Sequence, residues 1–184
     1  MTNYKTFKVQ IIVASKNKVL LLRTNKTRGG FWQNITGSVE KVDENLNQAA
    51  FREFSEETGL VLSSVSVSTD PDSINFKAKD NSGNITICGT LQKLPFIHNF
   101  VDQFNRSIEE HTYLAFLSHI EEKDNYLSIN TNDIIIKLDP NEHDQYQWIN
   151  INEIKEVNYK HDSNFKAFKC SLSYLNKHYI PSNI

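Results

Sequence analysis

Residues 44–60 read ENLNQAAFREFSEETGL. The spacing predicts one short helix that carries Arg52, Glu53, Glu56 and Glu57 within two turns and stops at Gly59, the residue type that most readily supplies a left-handed helix end. Asn45 is placed to cap it, and Gln48 completes a capping-box pattern. Ala50, Phe51 and Phe54 form an apolar arc that must pack on a sheet, which turns the neighbouring acidic arc outward into a cleft. On that arc Glu56 and Glu57 follow Glu53 at i+3 and i+4, where each like-charge pair costs a helix roughly 0.2–0.5 kcal/mol. Both also fall in the last turn, where the helix dipole disfavours negative charge. Two local rules broken in one place mark a functional site. A hard divalent cation, which takes oxygen ligands, would relieve the repulsion. The plain alternative is a solvated Glu-rich face on which Arg52 and Glu56 form an ordinary i, i+4 pair.

The residues just upstream separate the two readings. Gly37 to Glu44 is GSVEKVDE, and 37–60 as a whole resembles the signature of the Nudix hydrolase family. That signature is a glycine, a spacer, a glutamate, seven residues, then Arg-Glu-hydrophobic-x-Glu-Glu-x-Gly-hydrophobic. Arg52 through Leu60 matches it at every position, and the spacer from Glu44 to Arg52 is intact. The spacer Ser38 to Asp43 is one residue longer than the family pattern, with Val42-Asp43 in place of a single glycine, which predicts a bulged loop before the helix.

The rest of the chain bounds the answer. Its 184 residues suit one domain, 1–184, and a 39% hydrophobic, 23% charged composition is that of an ordinary soluble globular protein. A net charge of −2 gives no basic field for nucleic acid. Cys88 and Cys170 have no metal-ligand spacing and form no framework, so a reduced cytoplasmic protein is expected. The start, MTNYKTFKVQ, has no apolar core of signal-peptide length, and no run is long enough to cross a membrane. The sequence assigns no oligomeric state.

Phe7, Val9, Ile11 and Val13 alternate with Lys8, Gln10 and Ile12, predicting a half-buried strand, and Val19–Leu22 returns from a turn as a second. Further strands are expected in Val61–Val67, Ile85–Thr90, Thr112–Leu117, Asp133–Leu138 and Tyr146–Ile149. Pro95–Arg106 reads as an aromatic-bearing connection, and 121–132 as an exposed insertion. Asn150 with Glu153 predicts a short helix to about Val157, and Phe165, Phe168, Leu172 and Leu175 predict an amphipathic helix at the end. The pattern suggests an α/β (α+β) fold, and the resemblance implies the Nudix α/β/α sandwich with a mixed sheet.

Within the family, the chain looks most like bacterial dihydroneopterin triphosphate pyrophosphatases. The likeness lies in FWQNITGSVE at 31–40, Glu110 before a strand, Glu142-His143 followed by Tyr146-x-Trp148, and Ser163-Asn164 opening the last helix. Phe165 stands where those enzymes tend to carry an arginine. The resemblance implies Mg²⁺, with Mn²⁺ as a substitute, held by Glu53, Glu56, Glu57 and the Gly37 carbonyl. It also implies Arg52 orienting the glutamates, Glu44 supporting them, and Glu142 as general base with Glu110 as runner-up. Phe31, Trp32, Gln33, Glu110 and Asn164 are the expected substrate contacts; His143 is expected to be a surface or structural histidine, not a catalyst. The implied reaction is hydrolysis of dihydroneopterin triphosphate to the monophosphate and pyrophosphate. The alternatives are nucleoside triphosphate, dinucleoside polyphosphate or nucleoside diphosphate sugar hydrolysis, RNA 5′-pyrophosphohydrolysis, or a Nudix domain that only binds a ligand.

Overall fold

A computed structural model describes residues 5–122 and 125–179. In chain order the elements are β1 (Thr6–Ser15), β2 (Lys18–Thr24), β3 (Trp32–Gln33), β4 (Ile35–Ser38), α1 (Leu46–Thr58), β5 (Val61–Val67), β6 (Ser73–Lys79), β7 (Thr86–Val101), β8 (Ser107–Glu122), β9 (Asn125–Ser128), β10 (His143–Asn150) and α2 (Asp162–His178). The strands form one mixed sheet ordered β10-β2-β1-β8-β7-β6-β5, with β3, β4 and β9 pairing off that path. β1 and β8 run parallel, and the other pairings described are antiparallel.

Helices flank both faces, as in the Nudix α/β/α sandwich. Val9, Ile11 and Val13 of β1 pack in the cluster that also holds Ala50, Phe51 and Phe54 of α1. Ile12 and Ala14, from the same strand, pack on the opposite face with Ala167, Phe168 and Leu175 of α2. β1 is therefore not the half-buried strand its alternation suggests: Val9 to Ser15 is buried on both faces. A strand between two helical layers needs apolar residues at successive positions.

Helix α1 runs as its sequence predicts. Asn45 Oδ1 accepts the Gln48 N–H (3.1 Å), and Gly59 closes the helix at φ 70°. The Gln48 side chain reaches one residue further back than a capping box requires and accepts from the Glu44 N–H (2.9 Å).

Four expectations need correction. Pro95–Arg106 is not a connection as far as Val101, because β7 continues through it, with an irregular register between Lys93 and Ile97. Glu110 lies within β8 rather than before it. Asp133–Leu138 forms no strand: Ile134 and Ile136 alternate because they pack under α1, and the Lys137 N–H bonds the Thr58 carbonyl instead of a ladder. Asn150 caps a 3-10 turn, Ile151–Glu153, followed by a second at Glu156–Asn158, so no helix spans the segment. In the stretch 121–132, β9 folds back on β8 with all four residues exposed, whereas Ile129 and Thr131 are buried. Lys123 and Asp124, from the same stretch, lie outside the described residues. Among the described residues no helix is long and apolar enough to cross a membrane.

Candidate active site

The cleft originates in a split between β1 and β2. They pair only at Val13–Leu20, Ala14–Val19 and Ser15–Lys18, then diverge. Residues 32–38 fill the gap: β4 pairs with Lys8–Ile11 of β1, and β3 pairs with Leu22 and Arg23 of β2. This wedge delivers Gln33, Thr36 and Gly37 to a cavity of about 680 Å³ that Phe31, Arg28, Glu53, Glu57 and Glu142 also line.

The acidic side chains reach it from two directions. Glu53 and Glu57 come from the end of α1 and are buried at 8% and 3% exposure. Glu142 comes from the loop before β10, which Asn25 holds by donating from Nδ2 to the carbonyls of Pro140 (3.2 Å) and Asn141 (2.6 Å). Ligand atoms of Glu57, Glu142 and His143 all lie within 4.8 Å of one another. Burial pushes Glu57 well above the usual carboxyl range, with repulsion from Glu53 and Glu142 adding to it. Glu53 is raised by burial too, against the pull of Arg52.

These residues fit a hard cation. Glu57 Oε2 is buried with no hydrogen-bond partner, and an unpaired carboxylate oxygen carries a large desolvation penalty unless something positive meets it. Carboxylate oxygens facing a polar cleft suit Mg²⁺, which keeps several of its own waters.

Gly37 is required by packing: a Cβ built there would lie 1.7 Å from Glu53 Cδ. Glu56 is exposed, and its Oε2 accepts from Arg52 Nη1 (3.1 Å), the same nitrogen that donates to Glu53.

Arg52 is a hub. It donates to Asp43 through Nε (3.1 Å) and Nη2 (2.9 Å), to the Ser38 carbonyl (2.7 Å) and to Glu53 Oε1 (2.8 Å). The paired guanidinium holds Asp43 below the usual carboxylate range. Asp43, not Glu44, thus supports Arg52. The Glu44 carboxylate accepts instead from Gln48 Nε2 (3.1 Å), because the extra loop residue brings Asp43 round to the guanidinium. A paired test follows. Asp43→Asn should lower turnover about 10- to 100-fold, the usual cost of disturbing groups that orient metal ligands, and Glu44→Gln should stay within about two-fold, as for a surface change. The reverse order in steady-state rates would return the role to Glu44.

The other expected contacts divide. Phe31 lines the cleft under Lys160, whose Nζ is 4.4 Å from the ring centroid. Gln33 lines it too, with Nε2 3.3 Å from His143 Nε2. Trp32, on the alternate side of β3, faces a different groove beside Tyr146. Glu110 and Asn164 line a second cavity that adjoins the cleft. Phe165 packs against Tyr159 and Phe168.

Three participants escape the sequence reading. His143 is buried against Glu57 (3.7 Å), and burial lowers its pKa. Arg28 pairs with Glu142 (3.0 Å). Lys8 lines both cavities. Only the Glu142-His143 pair carries a local signal, and its meaning depends on where the loop lands.

The chain matches the NUDIX domain over residues 6–168. Its fold is similar to a NUDIX hydrolase from Nitrosomonas europaea, with TM-score 0.57 and 16% identity, covering 93% of this chain and 90% of that one. It is also similar to a MutT NUDIX hydrolase from Burkholderia pseudomallei, with TM-score 0.53 and 14% identity over 91% and 98% of the two chains. A 43-residue segment is 56% identical to part of an octanoyltransferase from Myxococcus xanthus. That match covers 23% of this chain and 12% of the relative.

Proposed function

The chain belongs to the NUDIX domain family, and from that premise we propose that it catalyses Mg²⁺-dependent hydrolysis of a phosphoanhydride in a nucleotide-like small molecule. In its finer form the reaction converts dihydroneopterin triphosphate to the monophosphate and pyrophosphate. The observation that carries the reading is the cluster of buried Glu57 and His143 with partly buried Glu142, and with Glu53 beside it in a cleft of about 680 Å³.

Glu53 and Glu57 would hold the cation, with Glu56 joining by a rotation away from Arg52. When bound, the ion supplies charge neutralisation at the phosphate oxygens and acidifies water. Arg28 and Lys8 bring positive charge to the same cleft and attract the phosphate chain. Glu142 would take a proton from the attacking water; its carboxylate lines the cleft on a clamped loop and pairs with Arg28. Water attacks phosphorus in line, the bridging P–O bond breaks, and the leaving phosphate carries off the electron pair. Arg52 keeps Glu53 aimed through a charge-assisted hydrogen bond.

The finer reading is supported by the pterin-enzyme-like residues 31–40 and by the placement of Glu110 and Asn164 in the adjoining cavity. A panel of dihydroneopterin triphosphate, nucleoside triphosphates, dinucleoside polyphosphates, sugar nucleotides and 5′-triphosphorylated RNA tests it, with products identified. Pyrophosphate release from the pterin at the highest kcat/KM, abolished by EDTA, is expected. A higher kcat/KM elsewhere in the panel rejects the pterin. Turnover of none rejects catalysis and leaves a ligand-binding domain.

A further inference from the structure

The second cavity, of about 340 Å³, opens on the α2 face of the sheet. Lys8, Gln33 and Thr36 line both it and the cleft, so one elongated ligand can occupy the two together. Three strands make its floor. His98 of β7 stands opposite Glu110 of β8, and Glu110 is in register with Lys8 of β1. Phe100 stacks beside His98, with ring centroids 5.2 Å apart and planes at 24°. His161, Ser163 and Asn164 close the other side from the start of α2.

Glu110 is 94% buried, as the complement of its 6% exposure. Its Oε1 accepts from Gln10 Nε2 (2.9 Å). Gln10 is fixed in turn, since its Oε1 accepts from Asn34 Nδ2 (2.8 Å). Asn34 is tied to α2 through its own N–H to Asn164 Oδ1 (2.9 Å) and its Nδ2 to the Asn164 carbonyl (3.1 Å). A chain of amides thus runs from α2 to one carboxylate and sets its orientation. A carboxylate has about four acceptor positions, and Gln10 takes one.

We infer that this cavity holds a flat heterocycle whose edge presents two adjacent donors, a ring N–H beside an exocyclic amino group as in a 2-amino-4-oxopyrimidine ring, with Glu110 as acceptor and His98 and Phe100 as the stacking wall. An edge that alternates a ring-nitrogen lone pair with an amine, as in adenine, sets that lone pair against the carboxylate. A flexible aliphatic cation gains nothing from the aromatic wall. The inference rests on the phosphoanhydride reading, since the phosphate chain of the same ligand lies in the cleft.

The test compares GTP with ITP, which differ by the exocyclic amine. The wild-type protein is expected to favour GTP in kcat/KM about 10- to 100-fold, as for a hydrogen bond to a charged group. In Glu110→Gln, which keeps the shape and exchanges an acceptor oxygen for an amide donor, that ratio should fall toward one. His98→Ala should weaken both nucleotides while keeping their ratio. A wild-type ratio near one, or a ratio that survives Glu110→Gln, overturns the inference; undiminished affinity in His98→Ala overturns the stacking wall. Calorimetric binding of guanosine against inosine separates the two readings. With no turnover of any phosphoanhydride, a guanosine preference still supports the pocket, and equal binding rejects it.

Discussion

Glu57→Gln is expected to lower kcat on the order of 10³-fold, about 4 kcal/mol of transition-state stabilisation, and to leave a folded protein with a higher melting temperature in the absence of metal. The first effect follows from the position of Glu57. It is the most buried carboxylate of the cluster, and its Oε2 has no protein partner, so a neutral amide removes a charge the cation needs. The second follows from the sign of its pKa shift. Burial, then Glu53 and Glu142, raise the folded carboxyl above its unfolded value. A group raised on folding contributes stability that is complete below the unfolded pKa and is lost as pH rises through the folded one. At alkaline pH the wild-type chain therefore carries an ionised, poorly solvated group that the glutamine variant lacks. Added Mg²⁺ should raise the wild-type Tm and leave the variant's nearly fixed. Scanning calorimetry with and without Mg²⁺ reads this apart from turnover. A variant with near-normal kcat, or with a wild-type Mg²⁺ response, would sink the assignment of Glu57 as a metal ligand.

Gly37→Ala should do comparable damage from the opposite wall of the cleft. The added methyl carbon would sit 1.7 Å from Glu53 Cδ and 1.9 Å from its Oε1, so the carboxyl group has to move. Overpacking of this kind costs roughly 1–3 kcal/mol, and a misplacement of about 1 Å at a reacting centre costs on the order of 10²-fold in rate. The expected result is a folded enzyme with kcat down by about that factor and weaker Mg²⁺ affinity. Gly89→Ala serves as the comparison. It crowds Phe76 Cζ (2.6 Å) and the Phe116 carbonyl (2.8 Å), away from the carboxylates, and should lose stability with no comparable change in Mg²⁺ affinity. Equal Mg²⁺ affinity in Gly37→Ala and wild-type protein would show that Glu53 is not positioned through this contact.

What the sequence made legible was local. Helix α1, its cap at Asn45, its stop at Gly59 and its apolar arc are written in a few adjacent residues, and the acidic arc follows from the same periodicity. Residues that act across the chain were not legible. Asp43 reads as a loop residue until the extra position in 38–43 carries it to Arg52. His143 reads as a bystander until Asn25 pulls the 140–142 segment over Glu57. The tail of β7 reads as a connection because polar His98 and Asn99 interrupt its apolar residues, and its aromatics, Phe96 and Phe100, are only partly buried. Ile134 and Ile136 showed true alternation with no neighbouring strand to satisfy, and a period of two cannot tell a ladder from a strap packed under a helix.

The pairing of β1 with β8 has a consequence for how the chain comes together in time. Ser15 Oγ donates to the Leu117 carbonyl across 102 residues of sequence, and these two parallel strands are the middle of the sheet. Contacts at such separation are slow to form, because the intervening loop must lose its freedom before any bond repays it. During synthesis, α1 and the β1–β2 hairpin leave the ribosome well before β8 exists to pair with β1. Until then only one edge of β1, the one shared by β2 and β4, can be paired, and the acidic helix has no complete sheet centre to pack on. Assembly of the catalytic cleft is thus among the late events of folding. Truncation before Ser107, which removes β8, should yield chains that bind chaperones and aggregate rather than a smaller working enzyme.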